Sequence, residues 1–286
     1  MVRPYAVKGR KRKKREVEVE VEEEEEEEEQ SAEETHEEEE EEEDEKKEIG
    51  EVEGERNSDE APFELPGIPI LPSNQKPKAG VIFVLERASL EVAKVGKTYQ
   101  ILNSDDHSNF LRKHNRNPAD YRPDIVHQAL LAILDSPLNK AGRIRALYVK
   151  TEKGVLFEVK PHVRMPRTFK RFCGVMLQLL QKLSITATSK REKLLRVIKN
   201  PVTRHLPVNS RKIGFSYSSE KLVQLRDYVA AASNDIDLVF VVGAMAHGKI
   251  DKEYTDDFIS VSGYPLSAAC CIGRICNALE EKWNIL

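Results

Sequence analysis

The sequence predicts an α/β domain, a sheet flanked by helices, set behind an arm that does not fold. Three observations carry this. From residue 81 to residue 283, short apolar runs of strand length alternate with longer stretches of helical periodicity. The first 60 residues offer almost no apolar or aromatic material for a core. Two late strand-like runs end in glycine-bearing turns, and the second turn opens into a helix, the position where α/β sheets bind small molecules.

The arm is defined by charge. Residues 1–15 hold eight Lys and Arg, whereas residues 16–60 hold 28 Asp and Glu against three basic residues. That leaves 21 acidic and 34 basic residues over 61–286, a net of +13 hidden by the overall charge of −4. A cationic body of this size suggests a polyanionic partner, most simply nucleic acid. The Glu-rich run buries too little to offset chain entropy, so residues 1–60 are expected to be disordered. The cluster Lys8-Gly9-Arg10-Lys11-Arg12-Lys13-Lys14-Arg15 reads as a nuclear or nucleolar address, with a general electrostatic tether as the plainer alternative. Residues 61–78 form a linker studded with Pro62, Pro66, Pro69, Pro72 and Pro77. Residues 79–286 then form the folded domain. No apolar run approaches the ~18–20 residues of a membrane span, so no membrane role is expected. Cys173, Cys270, Cys271 and Cys276 have no familiar zinc spacing, and small core residues of a reduced protein are expected.

Along the domain, Val81–Leu85 is short and apolar enough for a buried strand, and a polar, irregular stretch from Thr98 to Asn117 follows. Asp124–Asp135 carries Ile125, Leu130, Ile133 and Leu134 at helical spacing. Ile144–Val149 and Val155–Val159 read as strands around Lys153-Gly154. Thr168–Leu183 repeats Phe169, Phe172, Met176, Leu179, Leu180 and Leu183 at helical spacing. Leu194–Ile198 is short and apolar, and Asn200-Pro201 ends it. Ile213–Tyr217 suits a strand, Lys221–Ala232 a helix, Leu238–Val242 and Phe258–Val261 strands, and Leu266–Trp283 the last helix. The alternation implies a largely parallel sheet.

The stretch LVFVVGAMAHGKIDKEYTDDFISVSGYPLSAA (238–269) is the best candidate for a ligand site. Glycine lets backbone groups approach a ligand closely, so turns at Gly243, Gly248 and Gly263 suggest a pocket built largely from backbone. Gly243 to Lys249 fits the phosphate-loop spacing, but Ile250 stands where Ser or Thr would bind Mg²⁺, and an acid-rich stretch follows in place of a helix. A tight turn without a ligand is the plain alternative.

Two basic groups suggest the polyanion. In Val163-Arg164-Met165-Pro166-Arg167-Thr168-Phe169-Lys170-Arg171, Pro166 disfavours helix at Met165, so a helix should begin near Arg167 or Thr168. Cations in a first turn oppose the helix dipole, and phosphates would restore the balance. In Tyr121-Arg122-Pro123-Asp124, Asp124 can cap a helix and hold Arg122, and a braced arginine reads a base or phosphate well. His127 reads as a core or capping residue rather than a catalytic one, and Asp135–Gly142 as an architectural turn. No nucleophile with a neighbouring His–Asp pair appears, which favours chemistry that needs positioning and an activated donor, such as methyl transfer.

The blocks VGKTYQILN, RPDIVHQALLAILDSPLNKAG, VRMPRTFKRFCGVMLQLL, LLRVIKNPV, FVVGAMAHGK and YPLSAA, in this order, resemble the Nep/Emg family of ribosome-biogenesis methyltransferases of the SPOUT (α/β-knot) class. The resemblance covers residues 80–286 and says nothing of the arm. It implies a C-terminal trefoil knot holding S-adenosyl-L-methionine and an obligate homodimer. It further implies N1-methylation of a pseudouridine in small-subunit rRNA, with a role in subunit assembly among pre-ribosomal assembly factors in the nucleolus. The cofactor residues it implies are Gly243, Gly248, Val261, Ser262, Gly263, Tyr264, Pro265 and Leu266. Another contact, Ser219, is implied at the Ser218-Ser219 turn, where this chain departs from the family pattern. The RNA residues it implies are Arg122 with Asp124, and Arg164, Arg167 and Arg171. Asp124 is either a brace or the general base. The rival from another class is a non-catalytic RNA-binding assembly factor with a vestigial cofactor fold.

Overall fold

The computed structural model describes residues 79–187 and 192–285. The charged arm and the proline-rich linker lie outside the described residues. An eight-stranded sheet forms the centre. Its strands are β1 (Val81–Ala88), β4 (Ile144–Thr151), β5 (Leu156–Val159), β6 (Ser184–Thr186), β7 (Lys193–Ile198), β8 (Ser210–Phe215), β9 (Asp237–Gly243) and β10 (Asp257–Ile259). The order is β10-β8-β9-β1-β4-β5-β7-β6. A separate hairpin joins β2 (Val92–Val95) to β3 (Thr98–Ile101). The helices are α1 (Ser108–Lys113), α2 (Pro123–Leu134), one-turn α3 (Pro137–Lys140), α4 (Phe169–Lys182), α5 (Leu225–Ala230) and α6 (Ala268–Trp283).

The alternation of β1 sorts its side chains between two cores. Val81, Phe83 and Leu85 face one core, with Val126 and Leu130 of α2, Phe172 and Met176 of α4, and Ile272 and Ile275 of α6. Ile82 and Val84 face a second, smaller core with Tyr148, Val239, Val202 and Ile250. A strand buried on both faces reads as a continuous apolar run, which is how Val81–Leu85 and Leu238–Val242 appear in the sequence.

Four expectations are corrected. The sheet is mixed: β10, β8, β9, β1 and β4 pair in parallel, but β4-β5, β5-β7 and β7-β6 are antiparallel. The tight turn at Gly154, φ +82°, returns the chain on itself and forces the first reversal. The stretch 98–117 is ordered, holding β3 and α1, with the hairpin turning at Gly96, φ +59°. The helix expected over 221–232 is only α5, because residues 221–223 pair with Ser260 instead: Ser260 N–H donates to the Lys221 carbonyl and Val223 N–H to that of Ser260, at 2.8 and 2.9 Å. The last helix begins at Ala268, capped by Ser267, whose Oγ accepts the Cys270 N–H at 3.2 Å.

Candidate functional site

β8, β9 and β10 run parallel, so their C-terminal ends bring three loops to one place. Around them lies a cavity of about 420 Å³, within the ~300–1,000 Å³ usual for small-molecule pockets. Phe215, the last residue of β8, lines it together with Ser216, Tyr217 and Ser218 of the loop that follows. The loop after β9 contributes Gly243, Met245, Ala246, Gly248, Lys249 and Ile250. The loop after β10 contributes Ser260, Val261, Ser262, Tyr264, Leu266 and Ser267, and Cys271 of α6 closes the wall.

Hydrogen bonds to backbone groups, three of them from or to serine hydroxyls, hold these loops. Ser216 N–H donates to the Ile259 carbonyl at 3.0 Å, and Ser219 Oγ–H donates to the Phe258 carbonyl at 2.8 Å. Ser260 Oγ–H donates to the Ser262 carbonyl at 2.9 Å, and Ser262 Oγ accepts Tyr264 N–H at 3.0 Å. Gly248 sits at φ +110°, a conformation that side chains rarely adopt. A Cβ on Gly243 would come within 2.8 Å of Met245 Sδ. Among the described residues, Lys249 is the one lining residue with a full charge, and the remaining walls are apolar groups, hydroxyls, the Cys271 thiol and backbone. No helix opens directly after Lys249, as a phosphate loop would require; the next, α6, begins at Ala268.

Of the cofactor residues that the resemblance implies, Gly243, Gly248, Val261, Ser262, Tyr264 and Leu266 border the cavity. Gly263, Pro265 and Ser219 do not. Ser219 holds the turn whose residues 216–218 face the space. Nothing lies within 4 Å of a Cβ added at Gly263, so the protein itself sets no steric demand for glycine there.

Arg122 lies just before α2, and its guanidinium grips Asp124 in the helix's first turn: Nε to Oδ1 at 2.8 Å and Nη2 to Oδ2 at 2.6 Å. This fork holds the Asp124 carboxyl below the ordinary carboxylate range. The next residue, Ile125, is part of the cavity wall. One helical turn thus carries the Arg122–Asp124 pair and a piece of the cavity.

The second basic group runs beside α2. His127 Nε2–H donates to the Pro166 carbonyl at 2.8 Å and the ring stacks on Phe172, with centroids 4.4 Å apart, so this histidine is a packing residue as expected. The helix α4 begins at Phe169, so Arg167 precedes its cap, and Lys170 and Arg171 lie in its first turn. Arg164, Lys170 and Arg171 are exposed and have no ion-pair partner among the described residues. Arg167 does have one: Nη1 reaches Asp135 Oδ2 at 3.1 Å and Nη2 reaches Oδ1 at 3.4 Å. Asp135, read from sequence as part of a turn, thus also holds a candidate RNA-binding arginine.

Sequence reasoning missed Ile125, Met245, Lys249 and Ile250 in the wall. It also missed Glu86 and Arg87 at the end of β1, which pack behind the loop after β9. Their signal was the charged pair ending an apolar strand, with Glu86 opposite Gly243 in register. A second cavity of about 600 Å³ borders Arg87, Arg116, Tyr121, Glu152 and His247, and shares Met245 and Ala246 with the first. Among the described residues no His, Cys, Asp or Glu cluster could hold a metal ion.

Known proteins share this chain's pattern. The profile of the EMG1/NEP1 methyltransferase family matches residues 83–280. The mouse protein named ribosomal RNA small subunit methyltransferase NEP1 is 52% identical over 206 residues, covering 72% of this chain and 83% of its own. Its Caenorhabditis elegans counterpart is 52% identical over 203 residues, covering 71% and 87%. The crystal structure of Archaeoglobus fulgidus Nep1 bound to S-adenosylhomocysteine superposes with a TM-score of 0.55 at 21% identity, covering 72% of this chain and 99% of that one. With the profile spanning most of the chain and half of the aligned positions identical, this chain belongs to the EMG1/NEP1 methyltransferase family.

Proposed function

We propose that this protein methylates a small-subunit ribosomal RNA with S-adenosyl-L-methionine, at N1 of a pseudouridine, and acts as a nucleolar homodimer among pre-ribosomal assembly factors. The observation that carries the reading is the shared turn of α2: Ile125 in the cavity wall beside the Arg122–Asp124 pair, which puts a donor cavity next to a braced arginine. The mouse and nematode relatives are named as small-subunit rRNA methyltransferases.

The cavity fits the donor in chemistry. Its walls offer apolar surface for an adenine ring, and serine hydroxyls and loop backbone for polar groups. Among the described residues no carboxylate or imidazole borders it, and burial pushes the pKa of the lining Cys271 thiol up to about 12, so the wall presents no thiolate to compete for the methyl group. Gly243, Gly248, Val261, Ser262, Tyr264 and Leu266 would hold the cofactor. Bound there, it supplies a methyl group on a sulfonium, a leaving group that needs no further activation, so proximity does much of the work.

The chain's own residues then position the RNA. Arg164 and Arg171, free of ion pairs among the described residues, neutralise phosphates. Arg122, oriented by Asp124, donates to the ring carbonyls of the base and stabilises the negative charge that grows as N1–H is lost. Asp124 is held ionised by the same contact, which makes it a weak base and favours the bracing role. The homodimer is supported by exposed Tyr217, Leu222 and Tyr264 on the loops around the cavity, at 60%, 61% and 79% exposure, apolar surface suited to a second copy. The nucleolar address is supported by the basic run at 8–15.

The test is transfer of label from radiolabelled S-adenosylmethionine to small-subunit rRNA fragments, with nucleoside mass spectrometry of the product. 1-Methylpseudouridine is the expected product. RNA binding without S-adenosylhomocysteine binding would favour the non-catalytic assembly factor instead.

A further inference from the structure

The cavity loop after β9 is gripped from behind by two consecutive residues of β1. The Glu86 carbonyl accepts Ala244 N–H at 2.8 Å, and its carboxylate accepts the Tyr254 hydroxyl at 2.5 Å. Arg87 reaches the middle of the same segment, with Nη1 donating to the Lys249 carbonyl at 3.0 Å. Its Nε and Nη2 form a fork on Glu152, the residue that follows β4, both at 2.8 Å. Arg87 itself sits at φ +58°, which non-glycine residues adopt uncommonly.

Met245 and Ala246 border both cavities, but the ends of the grip face different ones. Gly248 and Lys249 border the first cavity, whereas Arg87 and Glu152 border only the second. A Cβ at Gly248 would lie 2.6 Å from Arg87 Nη1. Glycine at 248 is therefore favoured by its φ, and a side chain there would have to displace the guanidinium behind it.

We propose that Arg87, locked in place by Glu152, is a positioning residue for the methyl-donor cavity: it fixes the Lys249 carbonyl and so sets the shape that residues 248–250 present to the cofactor. This rests on the reading of that cavity given above. Because the Arg87 and Glu152 side chains are 36% and 52% exposed, their ion pair contributes little to global stability. The effect should appear in the loop and in cofactor affinity, not in melting.

In the full-length protein, Arg87→Ala and Glu152→Gln should each weaken S-adenosylhomocysteine binding about tenfold, the scale of one charge-assisted hydrogen bond. Melting should shift by no more than about 3 °C. Arg87→Lys keeps a cation but not the fork, and should recover part of the affinity. Gly248→Ala should cost less affinity in the Arg87→Ala background than in wild type, since the clashing nitrogen is gone. Wild-type affinity in Arg87→Ala, or strictly additive losses in the double variant, would overturn the proposal. Glu152→Gln leaves the arginine in the chain and carries the same test if Arg87→Ala does not fold. Hydrogen exchange at Gly248, Lys249 and Ile250 in the ligand-free protein supplies a readout independent of the cofactor. It should quicken in Arg87→Ala even if wild type binds no S-adenosylhomocysteine, a result that would sink the reading of the cavity while leaving the brace intact. Unchanged exchange at all three amides would sink the brace itself.

Discussion

Arg122 and Asp124 form a two-point contact across a single proline, with guanidinium-to-carboxylate distances of 2.8 and 2.6 Å, at the first turn of α2. Pro123 at the first helical position fixes the chain's entry into the helix. Asp124 follows in the first turn, where a carboxylate is also favoured by the helix dipole. The geometry is that of an arginine held still for a ligand.

Asp124→Asn should therefore be mild in chemistry and measurable in stability. The pair is partly exposed, so it is worth under about 1 kcal/mol, or roughly 2–4 °C in melting temperature. Since the folded-state pKa of Asp124 is lowered, its contribution is full above the unfolded value of about 3.9 and is lost as pH falls through the folded one. The gap between wild type and variant should thus be constant above about pH 5 and close on acidification below about pH 4. At saturating RNA the single-turnover rate should stay within about tenfold of wild type. A loss of about 10²–10⁴-fold with intact RNA binding would instead make Asp124 the general base.

Gly263 and Gly248 make opposite predictions although both were read as cofactor glycines. Gly248→Val should abolish S-adenosylhomocysteine binding while far-UV circular dichroism stays close to wild type, because φ +110° and Arg87 both exclude a side chain. Gly263→Ala meets nothing within 4 Å, so the fold and melting temperature should be unchanged. Calorimetry on Gly263→Ala then isolates the ligand: a loss of affinity places the bound cofactor within reach of that Cβ, and wild-type affinity removes Gly263 from the site.

The parts of this molecule that could be read along the chain are those whose signal is local. Leu238–Val242 ending at Gly243 is one, since an apolar β-branched run followed by glycine marks a buried strand and its turn in neighbouring residues. The Arg122-Pro123-Asp124 brace is another, closed within three positions. What could not be read arrives from far away in sequence. Ile125 reaches the cavity only because α2 packs on α6, whose Cys271 lines the same wall, and Arg87 meets Lys249 162 positions later. The residues 221–223 carry helical composition, yet pairing with Ser260 pulls them to the sheet edge, a tertiary contact overriding local preference. The strand β6 is three residues long, too short for any period to show.

Tyr254→Phe tests the other half of the grip on the cavity loop. Glu86 is 1% exposed and takes its short hydrogen bond from the Tyr254 hydroxyl, with Lys150 Nζ more distant at 3.8 Å. Burial and this contact push the phenol's pKa far above its ordinary range. Removing the hydroxyl leaves a buried carboxylate short of a donor, which costs about 1–3 kcal/mol. Melting should fall by about 2–12 °C, and a shift below 1 °C would mean that Glu86 finds another donor.

The last prediction separates three arginines that the sequence presents as equals. Arg164 and Arg171 are free of ion pairs among the described residues, whereas Arg167 is held on Asp135 at 3.1 Å. Each arginine that neutralises one phosphate adds about 0.7–0.9 to the salt slope of RNA binding. Arg164→Ala and Arg171→Ala should each flatten that slope by close to one unit and leave S-adenosylhomocysteine affinity unchanged. To bind a phosphate, Arg167 must first give up Asp135 or share its donors, so Arg167→Ala should cost less RNA affinity than either neighbour. Asp135→Asn removes the competing charge and should tighten RNA binding, an effect that vanishes in the Asp135→Asn, Arg167→Ala double variant. If Asp135→Asn instead weakens binding, the aspartate is orienting Arg167 toward the RNA as Asp124 orients Arg122, and the two basic groups work by the same device.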